Sequence, residues 1–176
     1  LYLSGFSGED TQCDESAGSL FITEHELLLA TDTRYDLQAA KEAEQFDIVC
    51  YREGLPKTLP DILQQLGSRR LGFESVRISL KHFHEFENII SSQKIGVELV
   101  PTENIVEQIR EIKDEEEIDK TRQALWLAEK AFENVLQEIQ PGMTEKEIAW
   151  LLEKEMRQSG AETLSFPSIV ASGPNS

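Results

Sequence analysis

Short apolar runs alternate with amphipathic stretches of about ten residues along the first hundred positions, and few folds accommodate that rhythm. Residues 19–23 (Ser-Leu-Phe-Ile-Thr) and 26–31 (Glu-Leu-Leu-Leu-Ala-Thr) read as a hairpin joined at Glu24 and His25. Asp32-Thr33-Arg34 offers a helix start, and 35–46 carries Leu37, Ala40 and Ala43 at helical spacing. A strand follows at 47–51. The next helix spans 56–66, with Leu59, Ile62, Leu63 and Leu66 on one face and Gly67 as its stop. A strand at 70–73, a helix at 80–90 and a strand at 95–100 complete the series, which Pro101 closes. Strands interleaved with helices predict an α/β layer: a mixed sheet with flanking helices.

Beyond Pro101 the character changes. One long helix is predicted over 114–139, capped by Asp114, with Glu115, Glu116 and Glu117 at the positive end of its dipole. Ile118, Leu125, Phe132 and Ile139 recur every seven residues, with Ala128 and Val135 between them, which predicts one buried stripe. Pro141-Gly142 ends this helix. Thr144-Glu145-Lys146-Glu147 is a capping box opening a second helix that should bury Ile148, Leu151, Leu152 and Met156 and stop at Gly160. A β-type run at 165–171 and a turn at 172–175 come last. The domain boundary is expected near 105–112, dividing the chain into 1–108 and 109–176.

Composition excludes several classes of function. The 176 residues hold 33 acidic against 17 basic side chains, a net charge of −16, and no Lys/Arg cluster offsets it. A phosphate backbone would be repelled, so nucleic acid is not an expected partner. The longest apolar runs, at 124–128 and 148–152, fall far short of the roughly 20 residues that span a bilayer, so no membrane is expected either. Cys13 and Cys50 form no disulfide framework, which points to a reducing cytoplasm. The chain opens at Leu1 with no signal-peptide pattern, and this start is expected to be a cut inside a larger protein.

Two groups of motifs carry a resemblance to a known family. The first is Tyr2-Leu3-Ser4-Gly5-Phe6-Ser7-Gly8, then Ser16-Ala17-Gly18, then Thr31-Asp32-Thr33-Arg34-Tyr35. The second runs from Ile112-Lys113 and Glu117-Ile118 through Ala131, Pro141-Gly142-Met143-Thr144-Glu145, Met156-Arg157 and Gly160-Ala161. It ends in Ser165-Phe166-Pro167-Ser168-Ile169-Val170-Ala171-Ser172-Gly173-Pro174-Asn175. Together they resemble the creatinase and aminopeptidase P family of pita-bread metallopeptidases, which includes prolidases and Xaa-Pro aminopeptidases. The resemblance implies a creatinase-like α/β domain followed by the first helices and strand of an α+β pita-bread domain. Glu9 to Glu15 make a longer, more acidic step than the family's pattern, and the first strand and helix expected ahead of Leu1 are missing.

The resemblance further implies a dimeric exopeptidase that splits Xaa-Pro bonds with two divalent metal ions, manganese, cobalt or zinc. Its ligands, two Asp, one His and two Glu, would lie beyond Asn175. Such a metal pair polarises the carbonyl and forms hydroxide near neutral pH. In relatives the amino-terminal domain of one subunit overhangs its neighbour's active site. That makes Arg34 and Tyr35 candidate substrate contacts, Arg34 to grip a terminal carboxylate in a fork. The competing reading pairs Asp32 with Arg34 to fix the turn and packs Tyr35 on the sheet. Phe166 and Ser168 match positions on the strand bordering the pocket; Phe166 could equally be plain packing.

The residues present offer no chemistry of their own. His82 and His84 lie two apart on a predicted helix and point about 200° from each other, so they cannot share a metal. His25 sits in a turn. The carboxylates from Asp114 to Asp119 are explained by a helix start. No serine has a Gly-x-Ser-x-Gly context and Cys13 has no nearby His, so nucleophilic catalysis lacks support. The expected catalytic set and metal set within these residues are therefore empty, and the chain alone is expected to be inactive. Two rivals stand beside the peptidase: a metal-free relative that binds proteins, and a creatinase-like small-molecule hydrolase.

Overall fold

The computed structural model describes residues 1–8 and 16–176, so Cys13 and the acidic step from Glu9 to Glu15 lie outside the described residues. The chain forms two compact units, Leu1–Ile105 and Val106–Ser176.

The first unit is built around one strand. β1 (Gly18–Ile22) and β2 (Leu27–Asp32) form an antiparallel hairpin, and β3 (Asp47–Tyr51) adds to β2 in parallel, giving a mixed sheet in the order β1-β2-β3. The run Leu28-Leu29-Ala30-Thr31 is fully buried. Successive side chains of a strand point to opposite faces, so an unbroken apolar run requires cover on both. Leu28 and Ala30 meet Leu59, Ile62 and Leu63 of α2 (Leu55–Leu66) and Ile90 of α3 (Leu80–Ser92). Leu29 faces the other way, onto Phe6, Ala17 and Phe46, with Ala39 of α1 (Asp36–Glu42) and Ala43. Thr31, the one buried polar residue among those described, donates its hydroxyl to the Ala17 carbonyl at 2.5 Å, so its burial leaves no unmet donor. Each buried Leu or Ile contributes about 1.5–3 kcal/mol by removal from water.

β4 (Arg70–Glu74) and β5 (Glu98–Thr102) form a separate parallel pair whose Leu71 and Leu99 pack against the first core. Two details differ from the sequence-based expectation. The last strand starts three residues later than expected and runs through Pro101, which stands opposite Phe73. A proline lacks the N–H of a ladder but is tolerated where a strand is paired on one side only. The first helix ends at Glu42, short of the expected Phe46, because Ala43 leaves helical geometry at φ −108 and ψ 53.

The second unit is helical. α4 (Ile105–Glu111) is a short helix that sequence patterning does not predict. α5 (Glu115–Glu138) begins at a full capping box between Asp114 and Glu117, and α6 (Glu145–Gln158) at another between Thr144 and Glu147. Asn134 of α5 donates to the Glu155 carboxylate of α6 at 2.6 Å.

The structure corrects the expected heptad stripe on α5. Of the expected stripe only Val135 is buried, together with Ala131, and Ile118 and Ala128 are half-buried, whereas Leu125, Phe132 and Ile139 are 57%, 52% and 39% exposed. At about 100° per residue, Ala131 and Val135 lie some 80–120° round the helix from Leu125. The helix is apolar over two adjoining faces, and α6 covers only one of them. The expected helix faces of α6 are half-buried.

The expected strand at 165–171 is absent. Among the described residues no backbone ladder forms there, and a strand without a partner leaves its N–H and C=O groups to water. Phe166 and Ile169 are 68% and 87% exposed.

Candidate functional site

The sequence-predicted residues fall in two places. Arg34 and Tyr35 belong to the first unit, in the turn between β2 and α1. The turn is set by Asp32, whose Oδ1 accepts the Arg34 backbone N–H at 2.7 Å. The guanidinium closes back on the same carboxylate, with Nη2 at 2.7 Å from Oδ2 and Nε at 3.1 Å from both oxygens. These bonds from Arg34 hold the Asp32 carboxyl below the usual carboxylate range, against the opposing effect of its burial. Arg34 lies 5.3 Å over the Tyr35 ring, a cation–π contact, and Tyr35 meets Phe6 edge-on at 6.1 Å. The Asp32–Arg34 pair and the packed Tyr35 are thus both present. The pair holds a half-exposed cation in one orientation.

The motif around Gly5 is clasped onto the same region. Glu42 Oε2 accepts from the Ser7 N–H at 2.8 Å and its hydroxyl at 2.9 Å, while Gln38 Nε2 donates to Oε1 at 3.1 Å. The Ser7 amide, chiefly, lowers the Glu42 pKa. Gly5 sits at φ +76, and a Cβ there would come within 3.0 Å of the Glu42 carbonyl oxygen. Glycine is required on both counts. Phe6 is thereby driven into the core. Sequence reasoning does not single out Glu42, which carries no signal beyond an acid on a short helix.

Phe166 and Ser168 belong to the second unit, two apart on the irregular segment that follows α6. Phe166 is exposed and Ser168 half-buried. After them the chain closes a 3-10 turn, Gly173–Asn175. Glu145 Oε1 accepts the Ser172 N–H at 2.7 Å and Asn175 Nδ2 at 3.1 Å. In the sequence Glu145 is visible only as part of a helix start.

The described residues offer no donor set for the metal pair that the resemblance implies. Among the described residues no three His, Cys, Asp or Glu side chains converge on one point. His25 and His84 are exposed and His82 half-buried; His84 Nδ1 lies 3.2 Å from Glu87. The acidic run from Asp114 is occupied by local contacts: Asp114 with Glu117 in the capping box, Glu116 with Lys120 at 2.7 Å, Asp119 with Arg122 at 2.9 Å. These residues do not fit a metal. No helix is long and apolar enough to cross a membrane, among the described residues.

A mixed sheet covered on both faces, followed by a capped helix pair and a 3-10 turn over Ser-Gly-Pro-Asn, defines a creatinase-type domain that leads into the opening of a metallopeptidase domain. The chain belongs to the creatinase/prolidase N-terminal domain family, whose model matches residues 1–112; the model of metallopeptidase family M24 matches residues 119–176. The uncharacterized peptidase YqhT of Bacillus subtilis is 36% identical over 172 residues, which is 98% of this chain and 46% of that protein. The X-Pro aminopeptidase of Thermotoga maritima superposes with a TM-score of 0.82 at 36% identity, over 97% of this chain and 45% of that one. The Xaa-Pro dipeptidase from Bacillus anthracis gives 0.80 at 32%, over 94% and 43%. The chain therefore spans under half the length of these relatives.

Proposed function

We propose that this chain is a segment of a metal-dependent exopeptidase that hydrolyses Xaa-Pro bonds, at the amino termini of peptides or in dipeptides. The observation that carries this reading is the likeness to an Xaa-Pro dipeptidase and an X-Pro aminopeptidase across both units, at 32% and 36% identity. Within that enzyme the segment's task is architectural. The first unit forms the overhang of a homodimer and places Arg34 and Tyr35 toward the partner's substrate. The second unit carries the pocket-bordering segment with Phe166 and Ser168. Bound metal, with manganese, cobalt and zinc as candidates, would activate water in the whole enzyme; none of the described residues holds it. The exposed thiol of Cys50 suits a reducing cytoplasm.

The test uses the full-length protein that contains this segment. Hydrolysis of Xaa-Pro dipeptides and longer Xaa-Pro peptides should be abolished by a chelator and restored by one of the three metals. The 176-residue chain should be inactive with any of them. A metal-replete full-length protein that cleaves no Xaa-Pro bond would refute the reading and turn the search to basic protein partners.

A further inference from the structure

We propose that Glu42 is a positioning residue that sets Arg34 for substrate, acting through Ser7, Phe6 and Tyr35; the proposal deepens the peptidase reading and rests on it. Tyr35, Gln38 and Glu42 stand three and four residues apart, the spacing of one helix face. All three touch the motif at 2–8. Glu42 Oε2 accepts the Ser7 N–H at 2.8 Å and the Ser7 hydroxyl at 2.9 Å. Gln38 Nε2 donates to the Ser7 Oγ at 3.1 Å and to both Glu42 oxygens, at 3.1 and 3.3 Å. Tyr35 meets the Phe6 ring edge-on at 6.1 Å. The motif is thus tied at one end of α1, along its length, and at the residue that opens it.

What the tie fixes is the Phe6 ring. Ser7 is the next residue and is held by both its backbone and its side chain, which leaves the Phe6 backbone little freedom. The ring itself fills space that two glycines leave. A Cβ on Gly8 would fall 2.2 Å from it, and one on Gly18 would fall 3.2 Å from it. It is buried there with Leu29, Ala39 and Phe46, and Tyr35 packs against the same cluster. In close packing of this kind a ring shifts only when its backbone does.

The Phe6 edge in turn sets the Tyr35 ring, in the arrangement that aromatic pairs favour. The Arg34 guanidinium lies over that ring, 5.3 Å from its centre. Arg34 is therefore held in two different ways. Asp32 takes its N–H groups from two residues away, a hold local to the turn. The Tyr35 ring supports it from the other direction, and the place of that ring depends on the motif and, through Ser7, on Glu42. A charged acceptor gripping an amide and a hydroxyl together is the stronger kind of anchor.

The test is steady-state kinetics on the full-length protein with an Xaa-Pro dipeptide, arranged as a double-mutant cycle. Glu42→Ala should raise KM about tenfold and leave kcat within about twofold, the pattern of a misplaced binding contact. Loss of folded enzyme alone would lower apparent kcat and leave KM where it was. Arg34→Ala should raise KM as well, and in that background Glu42→Ala should add less than about twofold. Glu42→Gln keeps an oxygen for the Ser7 N–H and should return KM to within about threefold of the unaltered protein.

An unchanged KM in Glu42→Ala overturns the proposal. So does an equal rise with and without Arg34, which is the mark of a general loosening of the unit. Amide exchange in the full-length protein, followed by mass spectrometry, tests the linkage without activity. Glu42→Ala should quicken exchange at least about fivefold at Ser7 and also at Arg34 and Tyr35, whose N–H groups donate to the Asp32 side chain and carbonyl. Quickening at Ser7 alone overturns the linkage. A full-length protein without Xaa-Pro activity overturns the functional reading alone, and the exchange pattern then decides by itself whether Glu42 positions Arg34.

Discussion

Replacing Asp32 by Asn tests whether the β2–α1 turn is held by charge. Asp32 accepts three groups from Arg34: the backbone N–H at 2.7 Å, Nη2 at 2.7 Å and Nε at 3.1 Å. Asn can keep the first through its oxygen, but it turns an amide donor toward the guanidinium. Two charge-assisted bonds are therefore lost. Such bonds contribute about 1.5–3 kcal/mol each when shielded. Arg34 is half-exposed, so water and salt screen the pair and the sum falls to about 1–2 kcal/mol.

For a unit of about a hundred residues this corresponds to a fall in Tm of roughly 5–15 °C. Thermal unfolding of the 176-residue chain followed by far-UV circular dichroism reads it. The sign with pH is fixed by the lowered Asp32 pKa. Its contribution is complete above the unfolded value near 4 and is lost as pH falls through the lower folded value, so the gap between Asp32→Asn and the unaltered chain should narrow as pH falls below about 4. A second arm removes Arg34 first: in an Arg34→Ala background Asp32→Asn should cost under about 0.5 kcal/mol. A Tm within about 2 °C of the unaltered chain at pH 7, or the same loss with and without Arg34, would refute the account.

Two further outcomes concern the helical unit. Thr144→Ala removes the cap that accepts the Glu147 N–H and should cost about 1 kcal/mol, read by the fluorescence of Trp126 and Trp150, both of which lie in that unit. Because bonds from Thr144 lower the Glu147 pKa, this difference should shrink as pH falls below about 4. On α5, Phe132→Ser should change the stability of the chain by less than about 0.5 kcal/mol, whereas Ala131→Asp should unfold the helix pair. Equal effects at the two positions would restore the heptad stripe.

What the sequence disclosed follows from where the relevant partners lie along the chain. The hairpin, β3 and α2 are legible because each is fixed by near neighbours: Leu59, Ile62 and Leu63 are spaced for one helix face, and Gly67 marks its end. The capping boxes at Asp114 and Thr144 are legible for the same reason, being closed within three residues. The misreadings share an opposite cause. Residues 165–171 have the composition of a strand, but a strand is a property of a pair and these residues have no paired neighbour among those described. Along α5, periodicity shows that Leu125, Phe132 and Ile139 are apolar and aligned. It does not say which of two adjoining apolar faces α6 will cover, because that depends on the approach of a second helix.

The candidate site divides in the same way. Arg34 and Tyr35 stand out by motif, and the Asp32–Arg34 pair can be anticipated from a spacing of two. Glu42 and Glu145 could not be found so. Glu42 reaches Ser7 across 35 residues and Glu145 reaches Ser172 across 27, and in the sequence each is one of 33 acidic residues. What distinguishes both is that their carboxylates hold backbone amides of the very motifs, Tyr2 to Gly8 and Ser165 to Asn175, that carry the family likeness. Those glycine-bearing motifs supply exposed backbone, and the grip comes from an acid on the nearest helix. Variation at Glu42 should therefore be felt in the motif from Tyr2 to Gly8 even where the motif residues are unaltered.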